Sequence, residues 1–216
     1  MVSNNVVRRG LQCAMAFATV ATLFAQSAPG PAPQSGQTVF ISDPEEYAVY
    51  SALLSAQYPT KAPQVLVIDD WTPSSEREPN VGFVGGLAGT GAGRPDVQAE
   101  TAADFETKRK QSVGLERKLS PKLSYVLVSE SELTAIFHPD ANGMVGRAPW
   151  REFYEKYPGA QGIMSLSRVG FNKAKNEALV YVIKQQQLLG GSACFYVLVK
   201  QQGVWKVKKT VLVWLS

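Results

Sequence analysis

The chain holds 216 residues, 22 of them Lys or Arg against 18 Asp or Glu, with 45% apolar and 19% charged side chains. That composition supports a sizeable globular core and excludes wholesale disorder. A formal charge of +4 gives no reason to expect nucleic acid as a partner.

The first 27 residues stand apart. Arg8 and Arg9 precede Leu11–Ala25, a run without charge and rich in Ala, Leu, Phe and Val, and Ala25-Gln26-Ser27 offers small residues at a cleavage site. A basic start, an apolar stretch of about 7–15 residues and a small-residue exit are the parts of a secretory signal. The run is short for a membrane span, which needs roughly 20 residues. Residues 1–27 are therefore expected to be a signal peptide that sends the chain to the periplasm or the exterior, with an uncleaved anchor as the alternative. No stable membrane span is expected after cleavage. Removal takes two arginines and no acid, leaving a formal +2. It also takes Cys13, so Cys194 remains alone and no intramolecular disulfide can form.

Residues 28–37, APGPAPQSGQ, have almost nothing to bury and read as a flexible linker. A single domain is expected over 38–216. Asp43-Pro44-Glu45-Glu46 predicts a helix start, with Asp as cap and Pro in the first turn. Tyr47, Tyr50, Leu53 and Leu54 then fall on one helical face, which Pro59 closes. Val65–Ile68 predicts a short buried strand ending in Asp69-Asp70. Residues 73–95 hold six glycines and three prolines without periodicity, so an insertion is expected there. A weak helix is expected from Asp96 to about Lys118. Tyr125–Val128 predicts a second short strand, Ser129-Glu130-Ser131-Glu132 a capping box, and Pro149 the opening of a helix carrying Trp150, Phe153, Tyr154 and Tyr157.

The rest reads as β-structure. Ile163–Phe171, Ala178–Lys184, Ala193–Lys200 and Val204–Leu215 are rich in Val, Tyr, Phe and Trp, and the turns between them cannot hold crossover helices. The expected fold class is α+β: N-terminal helices with short strands, then a four-stranded antiparallel meander packed on the helices. Apolar residues on both faces of Val211–Leu215 predict a strand covered on each side.

Four segments of this half carry a resemblance. Ser167-Arg168-Val169-Gly170-Phe171-Asn172, Ala178–Val182, Cys194–Leu198 and Val204-Trp205-Lys206-Val207 resemble a block in exported bacterial proteins of unassigned function. The early helix and the strand ending in Asp69-Asp70-Trp71-Thr72 look like the first half of the same family. The resemblance covers most of the chain after the signal, except the glycine-rich insertion, and implies no activity. The layout is also similar to cystatin-like and nuclear-transport-factor-like rolls, an analogy of fold that assigns no function.

Motifs that would name a reaction are missing. The run Gly86–Arg94 lacks the Lys-Ser/Thr that a phosphate loop requires, and Pro95 follows it. His138 is the only histidine, which excludes multi-histidine metal sites, and no nucleophile elbow accompanies it. Asp140-x-Asn142 begins like a calcium loop, but Met144 and Val145 occupy positions that need a ligand and a glycine. No metal and no cofactor are expected. Cys194 sits mid-strand with no local base, Asp69-Asp70 sits where a strand ends, and Lys206, Lys208 and Lys209 form a basic stripe. Arg168 falls in line with apolar neighbours, so it needs an acid such as Glu177, a bulge that turns it outward, or a bound carboxylate or phosphate. Two functions stay open: a noncatalytic exported module binding a small anionic ligand or a protein partner, with Arg168 as the ligand group, and a hydrolase using Asp69, Asp70, His138 or Cys194.

Overall fold

The computed structural model describes residues 39–58, 65–75, 95–121, 124–137, 147–187 and 190–215. The proposed signal and linker, residues 76–94 of the insertion, and His138 lie outside them. Thr38–Ser216 forms one compact unit.

Helix α1 (Pro44–Gln57) starts as its sequence dictates: the Asp43 carboxylate accepts from the Glu45 amide at 3.0 Å, with Pro44 in the first turn. Strand β1 (Leu66–Asp69) and strand β2 (Tyr125–Val128) pair in parallel. Between them, helix α2 (Ala99–Lys108) stops ten residues earlier than its sequence suggests. The reason lies in the segment beyond it, where buried Val113 and Leu115 run extended. There the Gly114 amide donates to the Val39 carbonyl and the Leu115 amide to Asp70, so these groups pair outside any helix. A Cβ on Gly114 would come within 2.6 Å of the Phe40 ring, so glycine lets that ring lie against the backbone here.

Helices α3 (Glu130–Ile136) and α4 (Arg147–Lys156) follow β2. The Ser129 hydroxyl accepts from the Glu132 amide at 3.2 Å, as the capping sequence predicts. The chain then forms β3 (Ile163–Leu166), β4 (Gly170–Phe171), β5 (Glu177–Gln185), β6 (Gly191–Gln201) and β7 (Val204–Leu215).

The fold is α+β, with seven strands in one mixed sheet of order β2-β1-β3-β5-β6-β7, β4 pairing beside β3 on β5. Pairs β3–β5, β5–β6 and β6–β7 are antiparallel, giving the expected meander. The first-half strands extend the same sheet, because β1 also pairs in parallel with β3.

Alternation along the strands separates two faces. Leu66, Ile68, Met164, Leu166, Val180 and Val182 pack with α1. On the other face, Val67, Val128 and Ile163 pack with Ile136, Trp150 and Phe153 of α3 and α4, while Leu179, Tyr181 and Phe195 pack with Phe105 of α2. Helices therefore line both faces. No helix among the described residues is long and apolar enough to cross a membrane.

Two sequence expectations are corrected. Ile163–Phe171 is not one strand, for Ser167–Val169 leaves the ladder. The Ser167 hydroxyl accepts from the Tyr181 amide at 2.9 Å, standing in for a backbone acceptor. The covering expected on both faces of β7 is also absent, since Leu212 is 51% and Leu215 73% exposed. Register shifts opposite Ala193/Cys194 and Val197/Leu198 leave Val213 and Lys208 as extra residues, which breaks simple alternation. Val211, Val213 and Trp214 consequently all pack toward the α2 side.

Candidate functional site

Strands β1, β2 and β3 run in parallel, so their carboxyl ends lie along one edge. From β1 the chain moves to one neighbour, β2, and then returns past β1 to its other neighbour, β3. Connections that part in this way leave a crevice at the strand ends. A cleft of about 460 Å³ opens there, with Asp69, the last residue of β1, beside Trp71, Thr72, Ser112, Glu130 and Thr134.

Among the described residues the lining has carboxylates, hydroxyls and an indole, and no Lys or Arg. Burial pushes the Asp69 carboxyl up to about 6. The Trp71 amide donates to it at 3.1 Å and opposes that rise, the neighbouring Asp70 charge adds to it, and the Ser165 hydroxyl donates weakly at 3.4 Å. The Trp71 bond is an Asx turn, so Asp69 also shapes the turn that ends β1. Burial likewise raises Asp70, with the charges of Glu130 and Glu132 adding to the effect. One Asp70 oxygen, Oδ1, is buried with no hydrogen-bond partner among the described residues. A carboxyl held partly from water, with no Lys or Arg beside it among the described residues, is a candidate for proton-transfer chemistry.

The other sequence candidates lie elsewhere. Arg168 finds its acid inside the protein, but in Glu46 of α1 instead of Glu177. The guanidinium donates to both Glu46 oxygens, with Nη2–Oε1 at 2.6 Å and Nε–Oε2 at 3.0 Å, while the Val169 amide donates to Oε2 at 3.0 Å. Glu46 is fully buried, and Lys108 approaches it at 4.0 Å. Glu177 instead caps α2, whose own N-cap residue Gln98 makes no side-chain cap. The Glu177 carboxylate accepts there from the Gln98 amide at 2.7 Å and from the Thr101 hydroxyl at 2.8 Å.

Cys194 sits on β6 opposite Val182 and Leu212. Burial raises its thiol, a weak hydrogen bond with Tyr196 opposing, so no thiolate is favoured. Strands β3 and β5 stand between it and β1, about 14 Å at ordinary strand spacing, and it belongs to the α1 face whereas Asp69 belongs to the other. Asp69 and Asp70 are thus brought together, and Cys194 is not brought to them. Among the described residues no group of His, Cys, Asp or Glu is placed to hold a metal ion.

Sequence reasoning missed Ser165 and Glu130 beside Asp69, which only the parallel pairing brings near it. It also missed Glu46, although a signal existed. Glu46, Tyr50 and Leu53 fall at i, i+4 and i+7, placing an acid on the buried stripe. Comparison with protein-family models, curated proteins and solved structures found no match.

Proposed function

We propose that the protein is an exported, noncatalytic binding module that takes a small polar ligand, neutral or cationic, in the cleft at the carboxyl end of β1. The observation that carries this reading is the lining itself: among the described residues, two carboxylates, hydroxyls and the Trp71 indole around about 460 Å³, with no Lys or Arg. Such a lining repels anions and suits hydroxyl or ammonium groups laid against an aromatic ring. Arg168, the sequence candidate for an anionic ligand, has its fork filled by Glu46. Calorimetric titration with choline and with glucose as probes tests the site. Saturable binding of either, weakened by Trp71→Ala, supports the reading; indifference to both contradicts it.

Export rests on Arg8-Arg9, the apolar run and the small residues ending at Ser27. Sequencing the N-terminus of exported protein should find a start near Ala28. An intact Met1 on membrane-extracted protein would instead favour an anchor.

One observation favours the hydrolase reading, namely the Asp69 carboxyl that titrates near 6 next to Asp70. A general acid needs a pKa close to the working pH. Glycoside or ester turnover that Asp69→Asn abolishes while probe binding survives would select this second reading.

A further inference from the structure

A second cleft, far different in charge, lies between α4 and the turn joining β5 to β6. Its volume is about 540 Å³, and it is lined by one stripe of α4, Arg147, Trp150, Arg151 and Tyr154, facing Gln186 and Gly190. Those four helix residues stand at i, i+3, i+4 and i+7, so two guanidiniums and two aromatic rings share one face. Among the described residues no carboxylate lines the space.

The helix side of the cleft is packed into the core. Trp150 packs edge-on against Phe137 at 4.7 Å and Phe153 at 5.6 Å between ring centres, and it lies 5.9 Å from Tyr154 at an interplanar angle of 30°. Opposite, the Gln186 amide donates to the Gly190 carbonyl at 2.6 Å and closes the turn. A Cβ at Gly190 would fall 2.3 Å from the Gln186 carbonyl oxygen, so the turn keeps its shape only with glycine there.

The cations are uncommitted. Arg147 has no acid partner among the described residues. Arg151 makes only a 3.9 Å approach to Glu155, with both side chains more than 70% exposed, a pair of negligible worth. This separates them from Arg168, whose hydrogen bonds are filled from within. Free guanidiniums favour a carboxylate or phosphate that accepts two parallel hydrogen bonds. An aromatic wall asks for more than a bare ion, because a ligand with a ring can cover half-buried Tyr154 and the small edge of core-packed Trp150 that remains open, removing apolar surface from water.

We infer that this cleft is a second binding site, for a ring-bearing organic anion. The ring lies along Trp150 and Tyr154, Arg147 and Arg151 hold the acid group, and the Gln186 carboxamide meets polar substituents. An aromatic acid and a uronic-acid sugar share that chemistry.

Calorimetric titration of the full chain with benzoate, glucuronate, inorganic phosphate and glucose tests the inference and separates the two sources. One or both organic anions should saturate a single site, while glucose, lacking charge, does not compete for it. The double variant Arg147→Gln/Arg151→Gln should weaken that binding at least about tenfold. Its melting temperature should stay unchanged, because both side chains are on the surface. Tyr154→Ala should weaken the organic anions and leave phosphate alone. Asp69→Asn should leave the benzoate, glucuronate and phosphate titrations unaltered, whereas any glucose heat belongs to the acidic cleft and should change with it, so failure of that cleft and failure of this one are told apart. No saturable heat from either organic anion overturns the inference, as does unchanged affinity in the double variant. Phosphate binding as tightly as both organic anions would overturn the aromatic wall.

Discussion

Beneath α1, Glu46 is wholly buried, and both of its oxygens meet donors from Arg168 and the Val169 amide. At the carboxyl end of β1, Asp69 is also largely withdrawn from water, yet among the described residues it receives one backbone amide, a distant hydroxyl and no cation. A third carboxylate, Glu177, is buried with no cation but sits on the first turn of a helix. A buried charge is tolerated when donors or an opposite charge replace the water it loses. The fold meets that demand where a carboxylate ties segments together and leaves it unmet at the cleft.

Three substitutions would break or sharpen this contrast. Arg168→Met should have the largest effect, about 3–5 kcal/mol, because it leaves Glu46 buried with no close cation, only the Val169 amide, the Tyr50 hydroxyl and a distant Lys108. The loss should appear as a lower denaturant midpoint with no anion present. An unchanged midpoint would put Glu46 and Asp69 in the same class.

Glu177→Ala removes the acceptor for two donors at the start of α2 and should cost about 1–2 kcal/mol. Amide exchange should speed up most at the first turn of α2. Uniform loss of protection across the sheet would point to β5 instead of the helix start.

Asp69→Asn should be the mildest and should have the opposite sign. The folded carboxyl titrates near 6 and the unconstrained one near 3.8, so the folded state binds the proton more tightly. By linkage, the wild type loses stability as pH rises from about 4 through 6. The variant lacks that loss, so it should match the wild type at pH 4 and exceed it by about 1 kcal/mol at pH 8, screening by solvent having reduced the full effect. Melting curves at the two pH values read the difference directly. A variant less stable at pH 8 would show that Asp69 is a structural acid like Glu46.

Elements governed by short-range chemistry were visible in the residues. Asp43-Pro44 and Ser129-x-x-Glu132 announced two helix starts, and the turns after β5 and β6 were too short for anything but antiparallel neighbours. What stayed hidden depended on distant pairing. Nothing local says that β1 lies beside β3, and that neighbour creates the crevice at Asp69. Arg168 announced its need for an acid, but 122 residues separate it from Glu46, and nearby Glu177 was already required at α2. Parity reasoning failed wherever a residue stepped out of the ladder, at Ser167–Val169 and twice along β7.

Those two irregularities in β7 bear on how the molecule behaves in company. As the outermost strand, β7 presents a long row of backbone groups with no neighbour in the sheet, alongside exposed Val204, Leu212 and Leu215. A flat rim of that kind would recruit other chains into fibrous stacks. Here the extra residues Lys208 and Val213 bend the rim and increase its local twist. Lys206, Lys208 and Lys209 add charge that a second copy would have to approach with its own. The last strand thus ends the sheet in a shape that discourages its continuation, so that concentrated protein should resist stacking through this rim despite its apolar tip.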